Sequence, residues 1–265
     1  MTYPQKPADG TVLHWREGSI AHIRFNRPRA LNAIDTVMAA GFLKACQDIA
    51  ADREVRVVWV SGEGRAFMAG GDLAAMQVDP VAVAQELIDG MHGGLRILAG
   101  LDAPVVASVQ GAVAGGGLGL VMSCDMVLAA EETRFGVAYP LIGASCDCST
   151  SWTLPRLVGM HKAMELAILG DTIEASEALS LGLCNRVYPL EELEAQTRKL
   201  VERIAAGPTL AYGNLRRLIR ASLHSNLDSH LDAEADGFKA CAGTADFTEG
   251  VAAFLAKRPA QFKGH

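Results

Sequence analysis

The sequence predicts an α/β fold, with a strand-and-helix core over residues 1–206 and a helical region over 207–265. Three observations carry this. Apolar runs at 55–60 and 105–109 bracket a helix-like stretch at 81–99, the strand, helix, strand order of crossover units. Half of the 265 residues are hydrophobic, enough for a large core that folds without staples. Gly207-Pro208 then interrupts the pattern, and beyond it Leu210, Leu215, Leu218 and Ile219 form an apolar face at helical spacing that needs a partner.

Residues 11–16 and 19–25 alternate around Glu17-Gly18, as in a hairpin, and Arg27-Pro28-Arg29 ends it. From Asp35 onward, Val37, Phe42, Leu43, Cys46 and Ile49 trace an amphipathic helix capped by Asp35 or Thr36. The strand at 55–60 leads into Ser61-Gly-Glu-Gly-Arg-Ala-Phe-Met-Ala-Gly-Gly-Asp-Leu73, whose adjacent glycines precede an expected helix capped or ordered by Asp72. The helix at 81–99 carries His92 and is weakened by Gly90, Gly93 and Gly94. Helical stretches at 166–170 and 175–184 lead to a strand at 186–188.

Gly111-Ala-Val-Ala-Gly-Gly-Gly-Leu-Gly119 joins the strand at 105–109 to the helix-like stretch at 118–124. Consecutive glycines at such a junction let a ligand approach the backbone closely and aim free N–H groups at it. A helix N-terminus adds its dipole, so the turn suits a bound anion or an oxyanion developing in a reaction. The phosphate fingerprints do not fit, because no Gly-Lys-Ser/Thr follows and GxGxxG spacing is absent.

With 24 basic and 30 acidic residues the formal charge is −6, and the basic residues are scattered, which excludes a dedicated nucleic-acid surface. Six cysteines, at 46, 124, 146, 148, 184 and 241, form no CxxC pair and no zinc spacing, so no metal site is expected and a reducing, cytoplasmic setting fits. No apolar run approaches the roughly 18 residues that cross a membrane, and no leader-like pattern opens the chain.

The two glycine turns, with Asn26-Arg-Pro-Arg-Ala-Leu-Asn-Ala33 and a tail ending Phe254-Leu-Ala-Lys-Arg258, resemble the crotonase (enoyl-CoA hydratase/isomerase) superfamily over nearly the whole chain. The resemblance implies a spiral of ββα units, an acyl-CoA thioester as substrate, no cofactor beyond the coenzyme A of that substrate, and a C-terminal helical appendage that builds a trimer or hexamer. Gly71 and Gly116 match the positions whose backbone N–H groups hold the thioester oxygen, an effect worth ~3–4 kcal/mol per donor. Arg29, Ala66 and Ala69 match coenzyme A contacts, and Phe254 and Lys257 match residues that reach the coenzyme A of a neighbouring subunit.

The family's hydratases carry two glutamates that share water activation and proton delivery. The matching positions here are Gly119 and Tyr139, so ordinary hydration is not expected. Asp147 matches an aspartate kept by dienoyl-CoA isomerases, by the ring-opening isomerase of phenylacetate breakdown and by 4-chlorobenzoyl-CoA dehalogenase. His92 matches the dehalogenase's active-site histidine. The favoured expectation is an isomerase in which Asp147 moves a proton on an enolate held by Gly71 and Gly116. The alternatives are a dehalogenase with Asp147 as nucleophile, His92 activating water and Tyr139 in an aromatic box, a hydratase-like lyase, or a non-catalytic acyl-CoA-binding relative.

Overall fold

A computed structural model describes residues 9–265, so the first eight residues of the expected core lie outside the described ones. Strands β1 (Val12–Glu17) and β2 (Ile20–Phe25) form the expected hairpin around Gly18. Helix α1 (Thr36–Ala51) is capped by Asp35, whose carboxylate accepts from Met38 N at 2.8 Å. Its buried face is Met38, Ala39, Phe42, Ala45, Cys46 and Ile49, while Val37 is exposed, contrary to expectation. The chain continues through β3 (Val57–Gly62), α2 (Pro80–Gly100) and β4 (Val105–Val109). No helix directly follows Asp72; residues 73–78 are turns, and α2 begins only at Pro80 behind its cap, Asp79.

Gly90, Gly93 and Gly94 of α2 serve packing. A Cβ on Gly90 would stand 2.7 Å from the Ala39 carbonyl carbon, and one on Gly94 would stand 2.4 Å from Phe42 Cε1, so α1 and α2 approach more closely than side chains permit. Substitution there would collide with a fully buried face.

Between β4 and the next helix the glycine stretch contains a short strand, β5 (Ala112–Ala114), and then α3 (Gly116–Ser123). Strands β6 (Met126–Ala130) and β7 (Arg134–Gly136) follow. After them come α4 (Thr150–Val158), α5 (Met160–Leu169), β8 (Thr172–Glu174), α6 (Ala175–Leu181), β9 (Arg186–Tyr188) and α7 (Leu190–Ala205). The main sheet runs β1-β2-β3-β4-β6-β9, parallel except for the hairpin, and a second sheet runs β5-β7-β8. One face of the main sheet packs Ile20, Val57, Trp59, Val106 and Leu128 against Leu193, Leu200, Val201 and Ile204 of α7. The other packs Ile23, Val58, Val60 and Ala107 with the apolar residues of α1 and α2. Burial on both faces is why these strands read as continuous apolar runs.

The last helices are α8 (Thr209–Ala221), α9 (Leu227–Ala242) and α10 (Ala245–Leu255). Asp125 ties α8 to the core. It accepts from Val105 N at 2.7 Å and pairs with Arg216 at 2.7 Å and Arg220 at 2.9 Å. Among the described residues no helix is long and apolar enough to cross a membrane.

His22, 3% exposed, is stacked on Trp15 at 4.4 Å, with Glu17 Oε2 3.6 Å from its Nε2. Burial lowers its pKa to about 4, opposed by Glu17 and reinforced by Arg198 and Arg24. Above pH 6.5 both folded and unfolded states carry neutral imidazole. As pH falls from 6.5 toward 4 the unfolded chain takes a proton that the folded chain refuses, so stability is lost across that window. The loss is on the order of 3 kcal/mol. Urea unfolding at pH 7 and pH 4.5 is expected to differ less for His22→Leu than for the natural chain, and an equal difference in both contradicts this assignment.

Candidate active site

The glycine turns are brought together by backbone pairing. Met68 N donates to Ala112 O and Ala114 N to Met68 O, which pairs Met68 with Val113 of β5. Gly70 and Gly115 then meet face to face, for a Cβ on Gly115 would stand 3.4 Å from Gly70 Cα. Gly115 needs its glycine for a left-handed φ of 53°, and Gly117 for space, since a Cβ there would lie 2.7 Å from Met68 O.

Ile34 orients the first donor. Its N–H donates to Gly70 O at 2.8 Å and its carbonyl accepts from Asp72 N at 2.9 Å. Those groups face Ile34, so the Gly71 N–H points to the opposite side, as in an extended strand, and has no acceptor among the described residues. Gly116 is the first residue of α3, where an N–H has no intrahelical partner, and it too is unpaired among the described residues. Both line one cleft of about 420 Å3.

Asp147, Tyr139 and His92 line the same cleft. Asp147 Oδ1 lies 3.7 Å from the position of a Cβ on Gly116, beside the second donor. The Tyr139 hydroxyl donates to Asp147 Oδ1. Burial first, then the Asp147 charge and hydrogen bond, push the Tyr139 pKa far above the ordinary tyrosine range, so this phenol remains a donor. His92 Nε2 accepts the Cys148 N–H at 3.1 Å and so holds the turn that presents Asp147. Cys148 and Ser149 in that turn are left-handed, with φ of 47° and 67°, a strained pair fixed from several sides. Ser149 Oγ meets Ser123 Oγ of α3 at 2.7 Å, and Thr150 N donates to Asp147 O at 2.9 Å.

The hydratase positions are physically closed. A Cβ on Gly119 would stand 2.2 Å from Cys148 O and 2.7 Å from Thr150 Oγ1, and Tyr139 fills the second position. His92, Asp147 and Cys148 bring ligand-type atoms within 4.8 Å of one another. Yet His92 Nε2 already accepts a backbone N–H, and burial, then the Asp147 charge, keep Cys148 a thiol, so this trio is poorly suited to a metal.

The coenzyme A candidates are dispersed. Ala69 lines the cleft, while Ala66 is 2% exposed beneath it and accepts from Asn32 through its carbonyl. Arg29 is exposed on the turn at 28–30 and makes no hydrogen bond or ion pair among the described residues. Phe254, 83% exposed, and Lys257, left-handed at φ 52°, do not line the cleft. Sequence reasoning overlooked Asn32. Fully buried, it accepts Arg27 N at 2.7 Å and donates to the carbonyls of Glu63, Ala66 and Phe67, fixing the first glycine turn. Its place in the motif at 26–33 was the available signal.

The family model described as enoyl-CoA hydratase/isomerase matches residues 16–265. The chain is 35% identical over 257 residues to the 1,2-epoxyphenylacetyl-CoA isomerase of Escherichia coli (strain K12), covering 96% of this chain and 98% of that one. It is 31% identical over 242 residues to 4-chlorobenzoyl coenzyme A dehalogenase-2 of Arthrobacter sp, covering 90% and 88% respectively. Among solved structures, an enoyl-CoA hydratase from Polaromonas sp. JS666 matches with a TM-score of 0.90 at 31% identity, covering 96% of this chain and all of that one.

Proposed function

This chain belongs to the enoyl-CoA hydratase/isomerase family, and within it we propose that the protein is an acyl-CoA thioester isomerase with Asp147 as its single proton-transfer base. The observation that carries this reading is one carboxylate beside the unpaired backbone donor of Gly116, in a largely apolar cleft that the unpaired Gly71 also lines. The thioester oxygen accepts from both N–H groups. Asp147 removes a proton from the acyl chain, negative charge gathers on that oxygen, and the same carboxylic acid returns the proton at another carbon. Tyr139 and His92 are positioning residues, one holding the carboxylate and the other its turn.

Two observations weigh against the alternatives. The closed space at Gly119 disfavours a hydratase-like lyase. A dehalogenase needs a base free to activate water and an aromatic box, whereas His92 Nε2 is engaged and Tyr139 is the one aromatic side chain lining the cleft among the described residues. In the same reading α8–α10 cover Leu231, Phe238, Phe254 and Leu255, all more than half exposed, with copies of this chain, and Phe254 and Lys257 serve a neighbour's coenzyme A. Light scattering from a stable single chain at micromolar concentration contradicts that part.

The test is mass spectrometry of enoyl-, dienoyl-, epoxyphenylacetyl- and chlorobenzoyl-CoA thioesters after incubation with the protein in deuterated water. Deuterium uptake or rearrangement without added water is expected. Chloride release overturns the reading in favour of a dehalogenase, and a gain of water does so in favour of a hydratase.

A further inference from the structure

The two donors are backed by unlike surroundings. A Cβ on Gly116 would meet Cys148 Sγ and Ile34 Cδ1, each at 3.2 Å, and both residues are almost fully buried. A Cβ on Gly71 would meet a single atom within 4 Å, Met76 Cε at 3.1 Å. So the α-carbon of Gly116 stands against a fixed wall and that of Gly71 against the end of a side chain with three rotatable bonds. Met76 lies in the turns at 73–78, closed by local bonds such as Met76 N to Leu73 O at 3.2 Å and Gln77 N to Ala74 O at 3.4 Å. The ends of that segment are fixed, by Asp72 pairing with Arg27 at 3.0 Å and by Asp79 capping α2. The residue is therefore held in place by its backbone, while its partly buried side chain packs at the edge of the core and ends in a flexible thioether.

We propose that Met76 is the specificity-determining residue of this cleft, its methylthio end occupying the space beside Gly71 that a substituent on the carbon next to the thioester carbonyl would need. The inference rests on the thioester reading above and deepens it by naming a substrate class, acyl groups unbranched at that carbon. Leu73, Ala84, Leu87 and Ile88, which line the same cleft, are aliphatic. A straight chain passes Met76 without moving it. A methyl branch must push it away from Gly71, and because methionine yields, the penalty is a graded one. One misplaced methyl in an apolar pocket is worth about 10-fold or more.

Calorimetry with butyryl-CoA and isobutyryl-CoA tests this by binding alone, independently of which reaction the protein runs. The natural chain is expected to prefer butyryl-CoA by about 10-fold, and Met76→Ala to bring the two within about threefold. Met76→Leu, similar in volume, is expected to retain most of the preference. An unchanged ratio in a Met76→Ala protein that still binds both thioesters overturns the role of Met76, as does equal binding by the natural chain. Failure of the folded natural chain to bind either thioester instead overturns the thioester reading itself, and this inference with it.

Discussion

Gly119→Glu, the substitution that would restore the first hydratase carboxylate, is expected to destabilise the protein and to abolish turnover rather than to create a hydratase. The side chain's first carbon would enter space held by Cys148 O at 2.2 Å and Cys148 Cβ at 2.9 Å. Those atoms belong to the turn that presents Asp147, and that turn is already strained at two left-handed residues and tied to α2 and α3. Overpacking of this kind costs about 1–3 kcal/mol, and enclosing a carboxylate without a partner adds a similar amount. Urea unfolding should therefore report a loss of roughly 3 kcal/mol or more. Gly119→Ala, which adds only the colliding carbon, should show a large part of the loss. A Gly119→Glu/Tyr139→Glu protein with natural stability that hydrates crotonyl-CoA would contradict the closed-site account.

Asp147→Asn is expected to lower kcat by about 10²–10⁴, the span of a lost general base, while leaving thioester affinity within a few fold. The amide keeps the shape and the acceptor oxygen that Tyr139 and its turn recognise, so the fold and the two backbone donors persist. Only the ability to take a proton goes. His92→Gln separates positioning from chemistry, because a glutamine oxygen can still accept the Cys148 N–H. Its loss should be small, whereas a protein that stalled with an acyl or aryl group on Asp147 would assign His92 to ester hydrolysis.

Much of the candidate site was legible in the sequence, because its proposed donors are backbone groups and glycine spacing records where backbones must meet. The hairpin at Glu17-Gly18 and the capped α1 were legible for a similar reason, since alternation and an N-cap are local signals. The resemblance carried by the two glycine turns is borne out by the family match. What stayed hidden depends on distant partners. Strands β5, β7 and β8 are three residues each, too short for any alternation, so the stretch at 111–119 reads as one turn. Gly90, Gly93 and Gly94 look like helix weakeners until α1 is set against them. Asn32 is an unremarkable loop polar residue until the carbonyls of Glu63, Ala66 and Phe67, more than thirty residues on, close around its amide. Absence of a glutamate at 119 is visible in the sequence, but the filled space that excludes one is a property of packing.

The most direct measurement is solvent exchange into the acyl chain of the best thioester substrate in deuterated water, followed by mass spectrometry for the natural protein and for Asp147→Asn at saturating concentration. The natural protein should wash deuterium into the acyl group during turnover, in competition with direct return of the proton by Asp147. Asp147→Asn should bind the thioester equally and exchange at least 100-fold more slowly. Undiminished exchange in the Asp147→Asn protein would contradict the assignment of Asp147 as the base.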